Sequence, residues 1–208
     1  MTPRRPDRAF WIEKYRSGQT PWDLGRSSAP VGTLIENHFP PRGRVLVPGC
    51  GRGYEAIDLA ERGYDVTAVD FVKEPLDDLQ RRMKERGVSL HLIHDDMFDL
   101  SAKLNGSFDV ILEQTCLNAL DPRLHPGYEA LAFRLLRAGG RLLGVFMEVP
   151  GEGGPPYHCP PEHVMALFPA TRWIAEGPDP VDPPNPDRPG PEYLARFTRQ
   201  PRPVREGA

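Results

Sequence analysis

A chain of 208 residues, 39% hydrophobic and 26% charged, has the balance of one globular unit with a sizeable core. With a net charge of −3 and no lysine- or arginine-rich run that stands out, nothing resembles the basic footprint of a nucleic-acid binder. Phe10, Trp11 and Ile12 are followed at once by Glu13 and Lys14, so neither a signal peptide nor a membrane span is expected.

The pattern predicts a helix over 8–17, stopped by Gly18, then the loop QTPWDLGRSS and a helix over 29–38 with Ser28 at its cap and Pro30 in its first turn. From there two element types alternate. Strands are expected at 44–47, 65–70, 89–94, 108–112 and 141–147. Helices are expected at 54–62, 74–86 and 126–137, ended by Gly63, Gly87 and the Gly139-Gly140 pair. A short helix at 161–167 and strands at 172–175 and 192–198 close the chain, with a frayed tail from Gln200. Strands separated by amphipathic helices indicate βαβ units, hence an α/β fold of Rossmann-like type. We expect a mostly parallel seven-stranded sheet with helices on both faces and an antiparallel edge hairpin. The whole chain, 1–208, reads as a single domain: an N-terminal helical cover at 1–40, a core at 41–199 and a tail at 200–208.

The first of these strands runs into Pro48-Gly49-Cys50-Gly51-Arg52-Gly53, and the second ends at Asp70, 21 residues after Gly49. Glycines let main chain turn tightly and approach a ligand. An acidic side chain at the end of the second strand can accept both hydroxyls of an adenosine ribose. A dinucleotide fold would place a third glycine at Tyr54; the G-x-G-x-G present instead suits a nucleoside cofactor without a pyrophosphate. Asp95-Asp96-Met97-Phe98 follows the third strand, where an acidic side chain and backbone amides can read an adenine edge. Of the two, Asp96 is the preferred reader and Asp95 the candidate turn cap. Phe71 lies either against the adenine or in the core.

Cys50, Cys116 and Cys159 are odd in number and form no CxxC pair, which fits a reducing cytoplasm rather than a disulfide framework or a zinc site. His91 and His94 fall on opposite faces of a strand, and His158 and His163 have no acidic cluster beside them in sequence, so no metal is expected.

The segments FWIEKYRSGQTPWDLG, VLVPGCGRGYEAIDLA, GYDVTAVD, DDMFDL, FDVILEQTCLNALDP and GGPPYHCPPEHVMALF occur in the order seen in the thiopurine methyltransferase-like proteins. The chain resembles that family from about Phe10 to Phe168, most of all its halide/thiol methyltransferase branch. The resemblance implies a class I methyltransferase using S-adenosylmethionine and releasing S-adenosylhomocysteine. It implies further that Trp11, Tyr15 and Trp22 line the cofactor from the cover. Gly49, with Gly51 and Gly53 in the same loop, and Asp70 would hold the amino-acid and ribose parts, Asp96 and Met97 the adenine. Gln114 would face the reaction centre. Tyr15 stands where relatives often carry Trp. Gln114 stands where the halide/thiol members often carry Tyr and the thiopurine members Arg, so membership alone does not supply the acceptor.

The implied reaction moves a methyl group to a small nucleophile, a thiol, sulfide or halide, which needs no general base. A neutral oxygen or nitrogen acceptor would more often need one, and Glu113 is the nearest candidate. Tyr157 either gates the acceptor or pins a loop; Cys116 and Asn118 border the same region. Trp11 either lines the cofactor or staples its helix to the core. Two other classes stay open. One is a non-catalytic S-adenosylmethionine sensor, motivated by Gln114; the other is a nicotinamide-dependent oxidoreductase, against which Tyr54 counts. The expected partner is a small molecule, with no nucleic acid or membrane, and the protein is expected to be a monomer or weak homodimer.

Overall fold

The computed structural model describes residues 7–151 and 153–201. Two helices, α1 (Arg8–Arg16) and α2 (Ala29–His38), precede the alternating core. That core comprises β1 (Arg44–Pro48), α3 (Tyr54–Glu61), β2 (Asp65–Asp70), α4 (Lys73–Arg86), β3 (His91–His94) and β4 (Phe108–Gln114). It continues with the single-turn α5 (Cys116–Ala119), α6 (His125–Leu135), β5 (Leu136–Met147), α7 (Pro161–Leu167), β6 (Trp173–Pro180) and β7 (Glu192–Arg199). The seven strands form one sheet in the order β3-β2-β1-β4-β5-β7-β6. Strands β1 to β5 run parallel, and β7 is antiparallel to both its neighbours, β5 and β6.

Side-chain alternation divides the core into two layers. Val45, Val47, Val110, Leu112, Leu143 and Val145 face α2, α3 and α4, where they meet Leu34, Leu59 and Leu79. Leu46, Ile111, Leu142 and Phe146 point the other way, into Tyr128, Leu135, Phe168 and Trp173. A strand buried on both faces reads as a continuous apolar run, which is why VLV and VIL stand out in the sequence. Among the described residues no helix is long and apolar enough to cross a membrane.

Several boundaries differ from the sequence expectation, each for a packing reason. Helix α6 ends at Leu135 rather than at the glycines, because Leu136 already pairs with Phe108 in the sheet. Gly140 serves close strand approach at the register shift: a Cβ there would lie 3.1 Å from the Phe108 carbonyl oxygen. Strand β4 runs two residues past the expected end, carrying Glu113 and Gln114 into register with Gly144 and Val145. Strand β6 reaches Pro180 across a register shift between Glu176 and Asp179. Ser28 occupies the N-cap of α2, but its hydroxyl makes no cap; its N–H instead donates to Glu55 Oε1 at 3.0 Å. Gln200 is not frayed, since its N–H donates to the Arg172 carbonyl and its amide to those of Ala170 and Trp173. The rest of the expected tail, 202–208, lies outside the described residues.

Gly53, at the N-cap of α3, has φ +67°, and a Cβ there would meet the Leu79 methyls at 2.5 and 2.7 Å. Leu79 is fully buried on α4 and cannot swing aside. The third glycine of the loop thus lets two helices approach. Gly53→Ala should lower stability by about 2–4 kcal/mol, the sum of a left-handed backbone and an overpacked core. Urea denaturation measures it, and a Gly53→Ala/Leu79→Ala double variant should lose less than the two single losses combined.

Candidate active site

In an open parallel sheet, ligands bind beyond the carboxyl ends of the strands where the order reverses. Here the chain winds outward from β1 in one direction and from β4 in the other, so the reversal lies between these two neighbours. A cavity of about 510 Å³ opens there, bordered by Gly49 after β1, Asp70 ending β2, Gln114 ending β4 and Met147 ending β5. That volume lies within the roughly 300–1,000 Å³ usual for small-molecule sites.

Asp70 organises the floor. Its Oδ2 accepts from Gly51 N–H and its Oδ1 from Val72 N–H, both at 2.9 Å. Burial pushes the carboxyl up, while the two N–H donors pull it down. Each oxygen keeps a second lone pair for a ligand hydroxyl. The glycines divide their work more than the sequence suggested. Gly49 lines the cavity, and a Cβ on it would sit 2.8 Å from Cys116 Sγ. Gly51 borders a side recess of about 100 Å³ shared with Asp23, Arg52 and Glu55. Gly53 touches neither space and packs on Leu79 instead.

Beyond β3 the two aspartates exchange the expected roles. Asp96 Oδ1 accepts from Phe98 N–H at 2.9 Å and caps a short 3-10 turn over Met97–Asp99. Asp95, together with Met97 and Phe71, lines the cavity, and Asp96 does not.

The cover closes the cavity from above. Trp22 meets Trp11 edge-on at 5.3 Å and Tyr15 at 5.8 Å between ring centroids, and all three rings line the space. Burial pushes the Tyr15 hydroxyl far up, so it remains a neutral phenol. The loop carrying Trp22 is fastened on two sides. Arg52 of the glycine loop pairs with Asp23 at 2.6 Å and also with Asp78 of α4. Arg188, from the connection between β6 and β7, donates to the Trp22 carbonyl at 3.1 Å and pairs with buried Glu192 at 3.1 Å. Arg26 pairs with Asp187 at 3.3 Å. Pro186, Arg188 and Pro189 therefore form part of the roof, as do Pro155 and Pro156. Sequence reasoning missed these residues: proline-rich stretches carry no periodicity, and their distance from the glycine loop in the chain is large.

At the end of β4 the two polar neighbours part. Gln114 faces the cavity, and both its amide atoms are buried without a protein partner. Glu113 points into the opposite layer with no exposed surface. Its Oε1 accepts from Leu117 N–H at 3.0 Å and its Oε2 from the Tyr128 hydroxyl at 3.3 Å. The expectation of Glu113 as a general base is corrected by strand alternation: it does not border the cavity. Tyr157 does not line the cavity either. Its N–H donates to the Asn118 carbonyl at 2.6 Å and its carbonyl accepts from the Asn118 amide, so it pins the Pro155-Pro156 loop. Cys116 and Asn118 do border the cavity. Burial pushes the Cys116 thiol well up, so it stays protonated. Among the described residues no group of three or more His, Cys, Asp or Glu side chains is placed to hold a metal ion.

Comparison with known proteins gives a consistent picture. The family model described as thiopurine S-methyltransferase matches residues 6–183. The chain is 29% identical over 150 residues to the probable thiol methyltransferase 2 of Arabidopsis thaliana, covering 71% of this chain and 66% of that protein. It thus spans about two thirds of that plant relative. To the thiopurine S-methyltransferase of Methylococcus capsulatus it is 30% identical over 191 residues, with 80% and 83% covered. Among solved structures, a Burkholderia thailandensis 1,6-didemethyltoxoflavin-N1-methyltransferase with bound S-adenosylhomocysteine superposes with a TM-score of 0.76 at 24% identity. That superposition covers 93% of this chain and 86% of the other and establishes a class I methyltransferase fold.

The buried carboxyl of Glu113 generates a pH prediction. Burial pushes it up to about 8, so between its ordinary value of 4.5 and about 8 the folded state holds a proton that the unfolded chain releases. Its contribution to stability is complete below about 4.5 and is lost as pH rises to about 8. Glu113→Gln removes the titration. Urea midpoints across this pH window should therefore fall less for the variant than for the parent; parallel curves would refute the assignment.

Proposed function

The chain belongs to the thiopurine S-methyltransferase family, and from that premise we propose that it transfers a methyl group from S-adenosylmethionine to a small soft nucleophile, a thiol, sulfide or halide. One observation carries the reading. A single cavity at the sheet reversal joins Asp70 and Gly49 to a buried Gln114 amide that has no protein partner. A buried amide without a protein partner is free to receive the hydrogen-bonding group of a ligand.

The lining fits the cofactor in parts. Asp70 offers free lone pairs to ribose hydroxyls. Asp95, Phe71 and Met97 stand where an adenine edge and face would be read, and the recess beside Gly51 and Arg52 suits the amino-acid end. When bound, S-adenosylmethionine supplies a methyl group on a sulfonium cation, open to in-line displacement. The protein's share is positioning and exclusion of water. Trp11, Tyr15 and Trp22 keep solvent out, and a ring face near the positive sulfur is worth roughly 0.5–2 kcal/mol.

The acceptor end is bordered by Gln114, Cys116, Asn118, Leu120, Met147 and Pro155. Cys116 is held protonated by burial and Glu113 is turned to the other layer, while of the carboxyls that line the cavity Asp70 is engaged by two backbone N–H groups and Asp187 by Arg26. An acceptor there must arrive ready to attack, which favours thiolates, hydrosulfide and halides over phenols and amines. Annihilation of opposite charges in a dry pocket also favours transfer to such anions. The three cysteines are free thiols, in keeping with a reducing cytoplasm as the place of action.

Calorimetry should detect S-adenosylhomocysteine binding, and Asp70→Ala should weaken it roughly tenfold or more, as expected for lost bonds to a charged group. A methyl-transfer assay across hydrosulfide, alkyl and aryl thiols, iodide, phenols and amines should give turnover with the first three classes. Binding without turnover on the whole panel would point to a sensor; absence of binding would end the reading.

A further inference from the structure

Resting on that functional reading, we propose that Glu113 is a positioning residue: from the far side of β4 it fixes the corner between β4 and α5, so that the Gln114 carboxamide is held in the cavity. Three observations support the proposal. The Gln114 amide has no protein partner, so nothing at its tip orients it; its direction is set by the backbone that carries it. The next residue, Thr115, is the one non-glycine among the described residues with a left-handed backbone, at φ +52°. A β-branched residue keeps that conformation only where its surroundings impose it. Glu113 is the group that imposes it. Its Oε1 accepts from Leu117 N–H, closing a ring around Gln114, Thr115 and Cys116, while Oε2 is anchored by the Tyr128 hydroxyl of α6. Thr115 N–H donates to the Val145 carbonyl at 3.0 Å and completes the clamp.

A purely structural role explains Glu113 poorly. Apart from the Tyr128 hydroxyl the layer it enters is largely apolar, with Ile111, Leu142 and Phe146, and an apolar pair at 113 and 128 would fill such a layer more favourably than a carboxyl and a phenol. A polar side chain is needed because an acceptor must reach a backbone N–H four residues on, which no apolar residue supplies. Contact with substrate is excluded by its face of the strand.

The test is a double-mutant cycle on Glu113→Leu and Gln114→Ala, with S-adenosylhomocysteine titrations and thiol kinetics using hydrosulfide, methanethiol and thiophenol. Glu113→Leu should leave S-adenosylhomocysteine affinity within about twofold. It should lower kcat/KM for the thiol roughly 10–100-fold, the effect of a misplaced group at the reaction centre. Glu113→Gln, which can still accept from Leu117 N–H, should restore most of that loss. In the Gln114→Ala background the Glu113→Leu loss should shrink to about twofold or less. An equal loss in both backgrounds, an inert Gln114→Ala, or a Glu113→Gln as poor as Glu113→Leu overturns the proposal. Should Glu113→Leu not fold, Tyr128→Phe, which removes only the second anchor, enters the same cycle. If the parent methylates no thiol, the functional reading fails separately. The proposal is then judged by amide exchange with S-adenosylhomocysteine present. Thr115 and Leu117 N–H must exchange about tenfold faster in Glu113→Leu, and unchanged exchange refutes it.

Discussion

The carboxylate of Asp70 joins two turns that otherwise have no reason to meet. One oxygen takes the N–H of Gly51 from the glycine loop, and the other takes the N–H of Val72 at the entrance to α4. Because β1 and β2 are in parallel register up to Pro48 and Val69, their ends arrive together and the aspartate spans the gap. The loop held by that clasp carries the left-handed Gly49, Gly51 and Gly53, sets Arg52 beside Asp23 and brings Gly51 close to the Tyr15 hydroxyl. The same carboxylate keeps unused lone pairs toward the cavity. Holding the loop and offering itself to a ligand are therefore one arrangement, and any ligand that engages it also engages the glycine turn.

Strand alternation governs the chemistry at the other end. Glu113 and Gln114 are neighbours in the chain, yet one is sealed among Tyr128 and Leu117 while the other faces open space. The result is a cavity wall beyond β4 that offers a carboxamide and a protonated thiol, with Glu113 turned away from it. Such a lining fits displacement on a sulfonium by a soft anion, which asks for orientation and dryness more than for proton transfer.

Much of this was legible in the sequence. The alternation of apolar strands and amphipathic helices points to the sheet, and G-x-G-x-G followed by an acidic strand end singles out Asp70, which lines the cavity. Trp11, Tyr15, Trp22, Met97 and Gln114 came from the family resemblance and all line the cavity. The errors have physical sources. Proximity in the chain to Gln114 makes Glu113 the nearest candidate base for a neutral acceptor, and strand alternation turns it to the other layer. Asp95 and Asp96 differ only in which one the 3-10 turn claims as its cap, a choice made by local backbone geometry. Gly140 was read as a helix stop, whereas its use is contact between strands. The roof from Pro186 to Pro189 was invisible because its placement depends on tertiary closure rather than on any local pattern.

That roof is sewn from opposite parts of the chain: Trp22 and Arg26 precede the first strand, while Asp187 and Arg188 immediately precede the last. Moreover, β7 is laid between β5 and β6, not added outside them. The glycine loop and Asp70 thus lie in the chain between the two segments that roof them. A fragment that stops before residue 187 would keep the hold of Arg52 on the tryptophan loop and lose that of Arg188, so an intact roof depends on both ends of the fold being present together.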